Sequence, residues 1–295
     1  MPKSRSSVLI LTAVAITAFS AVAQQTVAVR QSFSSSVPTA SQLTREQMEN
    51  FLRTAQITSE RPAEKGVTHT LRVTMTDGHW IHDAHVQQID VYKPVFRTRD
   101  GLERNFRDSY KFNIAAYLVD KMMDVGMVPV CVYREVNGKP SSVSWWVDNV
   151  MFDEEGRRAA HQDPPDLNQW AAQLNTVRDF DALILNEDRN QGNLLIDRNW
   201  KVWMIDHSRA FRDDAAPRDP SVLRRCSQKF LEAMKALNEQ QLQATLMPWI
   251  TQEDVRTMLE RRDWLVHFFE NKVNENGKEA VFTDIPIKTP QVTIP

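Results

Sequence analysis

The sequence predicts an α+β chain in two lobes, five antiparallel strands with one helix and then a larger, mainly helical lobe. Three observations carry that prediction. From Thr68 the side chains alternate, with Leu71, Val73 and Met75 separated by Arg72, Thr74 and Thr76, the period of a half-buried strand. Asn137-Gly138 stands between the apolar runs 128–135 and 142–147, and this dipeptide suits the left-handed backbone of a two-residue hairpin turn. Beyond Asp148 the period becomes helical, with Trp170, Leu174, Val177 and Ile184 on one stripe.

In chain order, residues 1–23 read as a signal peptide. Lys3 and Arg5 precede an apolar run at 8–19, and Ala21-Val22-Ala23 offers a small-x-small cleavage site. The run is short for a membrane span. The mature chain is therefore expected to be exported, periplasmic or secreted, with no stable span after cleavage. Residues 24–64 read as a linker rich in Gln, Ser and Thr that ends in a short helix, opened by the capping-box pattern Thr44-Arg45-Glu46-Gln47. The small lobe is placed at 65–148. In it Asp77-Gly78 turns the first hairpin, Trp80-Ile81 and then 86–91 continue as strands, and Lys93 ends the third. Asp108-Ser109 caps a helix over 110–123, and Gly126 stops it. The polar segment 148–165, with Pro164-Pro165, marks the boundary of a helical lobe at 149–272, in which Asn238 and Thr251 each begin a helix. Residues 273–295, with Pro286, Pro290 and Pro295, read as an extended tail.

Composition narrows the function. The net charge is −2, and −4 once Lys3 and Arg5 are removed with the first 23 residues, so no basic excess points to nucleic acid. Cys131 and Cys226 either pair in an oxidising compartment or, as the apolar run around Cys131 favours, serve as small buried hydrophobes. His79, His82, Asp83 and His85 are good metal-ligand types, but His79 and His82 fall on opposite faces of a strand. A solvated hairpin accounts for them better than a metal.

The chemistry concentrates in residues 177–212. A helical pattern ends in Asn186-Glu187-Asp188-Arg189-Asn190-Gln191-Gly192-Asn193, and two short apolar strands follow, turned at Asp197-Arg198-Asn199. The second delivers Asp206 at its end. A Mg-nucleotide needs one carboxylate to orient the attacking hydroxyl, here Asp188, and an amide oxygen and a second carboxylate as hard metal ligands, here Asn193 and Asp206. Taken alone, the hexapeptide from Asp188 is better read as an ordinary helix-to-strand turn. The hairpin that returns a second acid to the first favours the chemical reading. Lys93 is placed to reach nucleotide phosphates, although a strand-end lysine is commonly just solvated.

The order of these elements resembles the protein-kinase-like fold over residues 67–269. The likeness is to its atypical members: phosphatidylinositol 3- and 4-kinases, HipA-type bacterial kinases and secretory-pathway Golgi casein kinase-like enzymes. Those carry Asp-Arg-His and an Ile-Asp-His type segment where this chain has Asp188-Arg189-Asn190 and Ile205-Asp206-His207. The resemblance implies that Asp188 positions or deprotonates the acceptor hydroxyl, that Asn193 and Asp206 hold Mg, with Mn an alternative, that Lys93 contacts the phosphates of ATP, and that the backbone of Trp146, Val147 and Asp148 meets the adenine. Three positions depart from it. Gly78 is the only glycine of the first hairpin, Asn190 replaces a histidine, and Asn113 stands where a helix glutamate would pair with the lysine, with Asp120 two turns on.

The expected activity is transfer of the γ-phosphoryl of Mg-ATP to a hydroxyl of a protein, lipid or small molecule. Two alternatives stay open: a pseudokinase that binds nucleotide or scaffolds, and a secreted protein whose Asp and Asn cluster holds a cation without catalysis.

Overall fold

Thr44 opens α1 (Arg45–Thr54): its hydroxyl accepts the Gln47 N–H and the Gln47 side chain accepts the Thr44 N–H. That exchange satisfies two of the donors a helix start leaves orphaned. The structure, a computed structural model, describes residues 43–63, 70–98 and 101–284, all within one unit of the chain that begins at Val37. The signal-peptide reading, residues 24–42 of the linker and the three late prolines lie outside the described residues.

The small lobe is an antiparallel sheet of β1 (Gln56–Pro62), β2 (Leu71–Thr76), β3 (Ile81–Gln87), β6 (Cys131–Val136) and β7 (Lys139–Trp145), ordered β1-β2-β3-β7-β6. Alternation assigns its faces. Val73, Met75, Ala84, Val86, Val132 and Val143 are buried on the side covered by α1 and by α2 (Tyr110–Met123). Arg72, Thr74, Asp83, His85 and Gln87 therefore line the other side. Asn137 and Gly138 both take positive φ, 53° and 70°, as the hairpin turn requires.

Between β3 and α2 the chain makes a separate ribbon, β4 (Asp90–Thr98) paired with β5 (Gly101–Ser109). This corrects the strand reading at two places. The third sheet strand is continuous over Ile81–Gln87, so the run read at 86–91 straddles its end. Lys93 lies in the ribbon opposite Phe106. The first sheet strand, β1, falls in the stretch read as linker, so the small lobe starts before residue 65.

Helix α2 matches its expected range, with the Ser109 hydroxyl accepting the Lys111 N–H. Asp124 caps its end in the left-handed conformation at φ 51°, two residues before Gly126, which takes positive φ as well, 75°. Asp120 caps the following loop by accepting the N–H groups of Gly126, Met127 and Val128. It therefore does not stand in for the missing glutamate.

The polar connector is structured. It holds β8 (Val150–Asp153), which extends the hairpin of β9 (Leu194–Asp197) and β10 (Val202–Met204) to three strands, and α3 (Glu154–Ala159). Helix α4 (Leu167–Ile184) buries Trp170, Val177, Phe180, Leu183 and Ile184. It packs against α7 (Gln252–Asn276), and α5 (Gln228–Ala236), α6 (Glu239–Leu246) and α8 (Lys278–Val281) pack on α7 in turn. Helix α7 runs past the expected start of the tail at 273, and α8 follows it. Cys131 and Cys226 are free and buried, the small-hydrophobe alternative. No described helix is long and apolar enough to cross a membrane.

Candidate active site

Helix α4 ends at Leu185, left-handed at φ 48°, and the loop after it is tied down by one arginine. Arg189 grips Asp181 with two parallel bonds, Nε to Oδ2 at 2.8 Å and Nη2 to Oδ1 at 2.9 Å. Its remaining nitrogen, Nη1, donates to the carbonyls of Asn193 and Ile205. The Ile205 N–H in turn donates to the Asn193 carbonyl at 3.1 Å. Asn193 is thereby fixed beside the residue that precedes Asp206. Two of the three predicted polar groups are brought together by main-chain bonds and a bidentate ion pair, an arrangement more rigid than a loop alone.

The side chains of Asp206 and Asn193 themselves stay free. Asp206 is exposed, held at φ 55°, and its carboxylate accepts no hydrogen bond among the described residues. The Asn193 side chain likewise has no hydrogen-bond partner among the described residues. Asp188 is 55% exposed at its side chain, with Arg209 Nη1 3.6 Å from Oδ1. No group of three or more His, Cys, Asp or Glu converges as a metal cage among the described residues. One carboxylate and one amide oxygen suit Mg or Mn, which keep water and phosphate oxygens as further ligands.

The upper wall differs from expectation. Gln87, at the end of β3, accepts a hydrogen bond from the Asn113 amide, and Asn113 Oδ1 accepts the backbone N–H of His207 at 2.7 Å. Where the resemblance puts a strand lysine against a helix glutamate, two neutral amides meet and dock α2 onto the segment that follows Asp206. Lys93 takes no part in this pair: its ammonium is exposed and lies 4.4 Å over the Phe96 ring in the ribbon. His207 is buried with its ring edge-on to Phe180, and burial beside the Arg189 charge pushes its pKa well down.

Two further groups sense the Asp206 charge. His85 of β3 has its pKa lowered by desolvation, and the Asp206 charge opposes that shift. Asp108 of β5 is raised by burial, and Asp206 and Asp188 add to this against Ser208 and Arg209. The ribbon also straps the segment after Asp206. Ser109 N–H donates to the Ser208 carbonyl at 2.8 Å, Asn105 to Asp213 at 2.8 Å, and Glu103 holds Arg209 at 2.6 Å and Arg212 at 3.2 Å.

At the other end of the cleft the Trp146 N–H donates to the Asp83 carbonyl at 3.2 Å, so it is already used. Val147 is buried, and its backbone groups make no hydrogen bond among the described residues. The Asp148 carboxylate bonds His82 at 3.0 Å. The Arg72 guanidinium lies 4.0 Å over the Trp146 ring and pairs with Asp83 at 2.5 Å. Of the histidine group read as a solvated hairpin, Asp83 and His85 thus lie in the cleft.

Gln87, His85, Asp108, Arg189 and Arg209 were not predicted as site residues. Pro94 offered one signal, since a proline inside an apolar run belongs to an edge strand and removes Lys93 from the sheet.

Comparison with solved structures decides the fold. A crystal structure of the Golgi casein kinase superposes with a TM-score of 0.56 at 11% identity, covering 81% of this chain and 77% of that one. The chain has a protein-kinase-like fold. The same enzyme with Mn/ADP bound gives a TM-score of 0.56 at 11% identity, with 84% and 80% coverage. The Helicobacter pylori proinflammatory kinase CtkA gives 0.43 at 9% identity, covering 72% of this chain and 92% of that one. No protein-family model and no curated protein sequence matches the chain.

Proposed function

We propose that this protein is an exported atypical kinase that binds a Mg- or Mn-nucleotide in the cleft and transfers the γ-phosphoryl of ATP to a hydroxyl. The observation that carries the reading is the Arg189 clamp, which fixes Asn193 beside Asp206 while leaving the Asp206 carboxylate and the Asn193 amide free. Asn193 and Asp206 would hold the metal, and the bound nucleotide supplies the phosphoryl group. Asp188 orients the acceptor hydroxyl and takes its proton. The adenine edge would meet the free backbone of Val147, since Trp146 is engaged by Asp83. A solved neighbour of the same fold was crystallised with Mn/ADP, which supports the choice of cofactor.

A second reading, a pseudokinase, is favoured by the neutral Gln87–Asn113 pair and by Arg72 covering Trp146. Incubation of the purified mature chain with γ-labelled ATP and Mg or Mn separates the two. The kinase reading expects label on the chain or on an added hydroxyl acceptor, lost in Asp206→Ala and reduced at least 100-fold in Asp188→Asn. Nucleotide binding with no label transfer assigns the pseudokinase.

A further inference from the structure

The upper wall of the cleft is the underside of the sheet, and β3 presents three side chains to it, Asp83, His85 and Gln87. Asp83 is saturated: it accepts the Thr74 hydroxyl at 2.7 Å and pairs with Arg72. Gln87 is 3% exposed and spends its oxygen on Asn113. His85 is different. Neither ring nitrogen has a hydrogen-bond or ion-pair partner among the described residues, and the ring is still partly exposed. Its cross-strand neighbours are Arg72 on β2 and Ser144 on β7, and the charge it senses across the cleft is that of Asp206.

A free N–H donor opposite the metal carboxylate stands where the phosphates of a metal-nucleotide must pass. The nearby arginines are already paired with carboxylates, Arg189 with Asp181 and Arg209 with Glu103 and Asp188. We propose that His85 is the nucleotide-contacting residue of β3, donating to the phosphate chain the hydrogen bond otherwise expected of a lysine. The inference rests on the nucleotide-binding reading above. It assigns the contact to a compact, uncharged-to-cationic ring in place of a long ammonium, so the phosphate charge is met mainly by the metal held at Asn193 and Asp206. The amide nitrogen of Gln87, which donates to no described residue, is the second donor on this wall.

Thermal shift with Mn-ADP tests the assignment on the mature chain. His85→Leu keeps the bulk of the side chain without a donor and is expected to weaken apparent affinity about 10- to 100-fold, the worth of a hydrogen bond to a charged group. His85→Gln keeps an N–H donor and is expected to stay within about 3-fold of wild type. Lys93→Ala serves as the comparison. If His85→Leu binds Mn-ADP as wild type does, the assignment falls while the nucleotide reading stands, and a loss in Lys93→Ala alone would return the role to Lys93. If His85→Leu does not fold, wild-type affinity in a His85→Phe chain overturns the assignment equally well. Absence of any Mn-ADP or Mg-ATP shift in the wild type removes the nucleotide reading itself, and the assignment with it.

Discussion

Asn113 accepts the backbone N–H of His207 at 2.7 Å while its amide donates to Gln87, so one helix side chain joins the sheet to the segment that follows Asp206. All three groups are buried. Removing Asn113 strands a main-chain donor and an amide oxygen away from water. Asn113→Ala is expected to cost about 1–3 kcal/mol in urea unfolding. Asn113→Glu alone sets a carboxylate in a neutral pocket and should cost more. Combined with Gln87→Lys it should recover part of that loss, giving a favourable coupling energy in the double-mutant cycle. Zero coupling would show that the two positions do not act as a pair.

Arg189 is the other joint of the site. Its guanidinium and the Asp181 carboxylate are each only about a tenth exposed, at 11% and 10% of the side chain, so breaking the pair leaves a charge with little water. Arg189→Ala is expected to destabilise by about 3 kcal/mol. The double variant Arg189→Met with Asp181→Asn should cost clearly less, because no charge is then stranded. A single variant no worse than the double would mean that Asp181 finds another partner.

These two joints differ in how far the sequence disclosed them. Helix α2 was legible to the residue from its Ser109 cap and apolar stripe, which is why Asn113 was found in the right place. The β9–β10 hairpin was legible because apolar triplets flank a turn whose Asp197 caps its own backbone, accepting the Asn199 and Lys201 N–H groups. Strand β1 was hidden, since Gln56–Pro62 is an edge strand exposed almost throughout and shows no alternation. The ribbon misled for the opposite reason: Asp90–Thr98 has strong strand character, but sequence does not say which strand it pairs with. The partner of Asn113 therefore had to be seen. Gln87 ends a strand whose end was misplaced, and Lys93 took its role on paper.

The neutral wall has an electrostatic consequence. Asp206, Asp188 and Asp108 lie close enough for Asp108 to sense both of the others, and phosphates entering without a metal would meet these carboxylates. Like charges in a partly desolvated cleft repel strongly. ADP is therefore expected to raise the melting temperature with Mn or Mg and to give no shift in EDTA. Asp206→Asn should abolish the metal-dependent shift. A full shift in EDTA would show that the protein's own cations, and not a metal, receive the phosphates.

Asp179 is buried in α4 at 1% exposure, and neither carboxylate oxygen has a hydrogen-bond partner. Burial drives its pKa well up, with Arg178 and Lys272 opposing only in part. The Cys226 thiol, buried in the same core, is also pushed up, by burial first and by the Asp179 charge after it. The folded chain thus holds this proton more tightly than the unfolded one, for which the ordinary value is 3.8. The contribution to stability is complete below that pH and is lost as the pH rises through the raised native value. Asp179→Asn keeps the shape and never ionises. Its stability advantage over wild type is expected to grow by about 1.4 kcal/mol per pH unit above roughly pH 4, levelling off once the native carboxyl ionises. Urea denaturation of both chains at pH 5, 6 and 7 measures this directly. A difference that stays constant with pH would place an unseen partner, water or a neighbouring amine, on the Asp179 carboxylate.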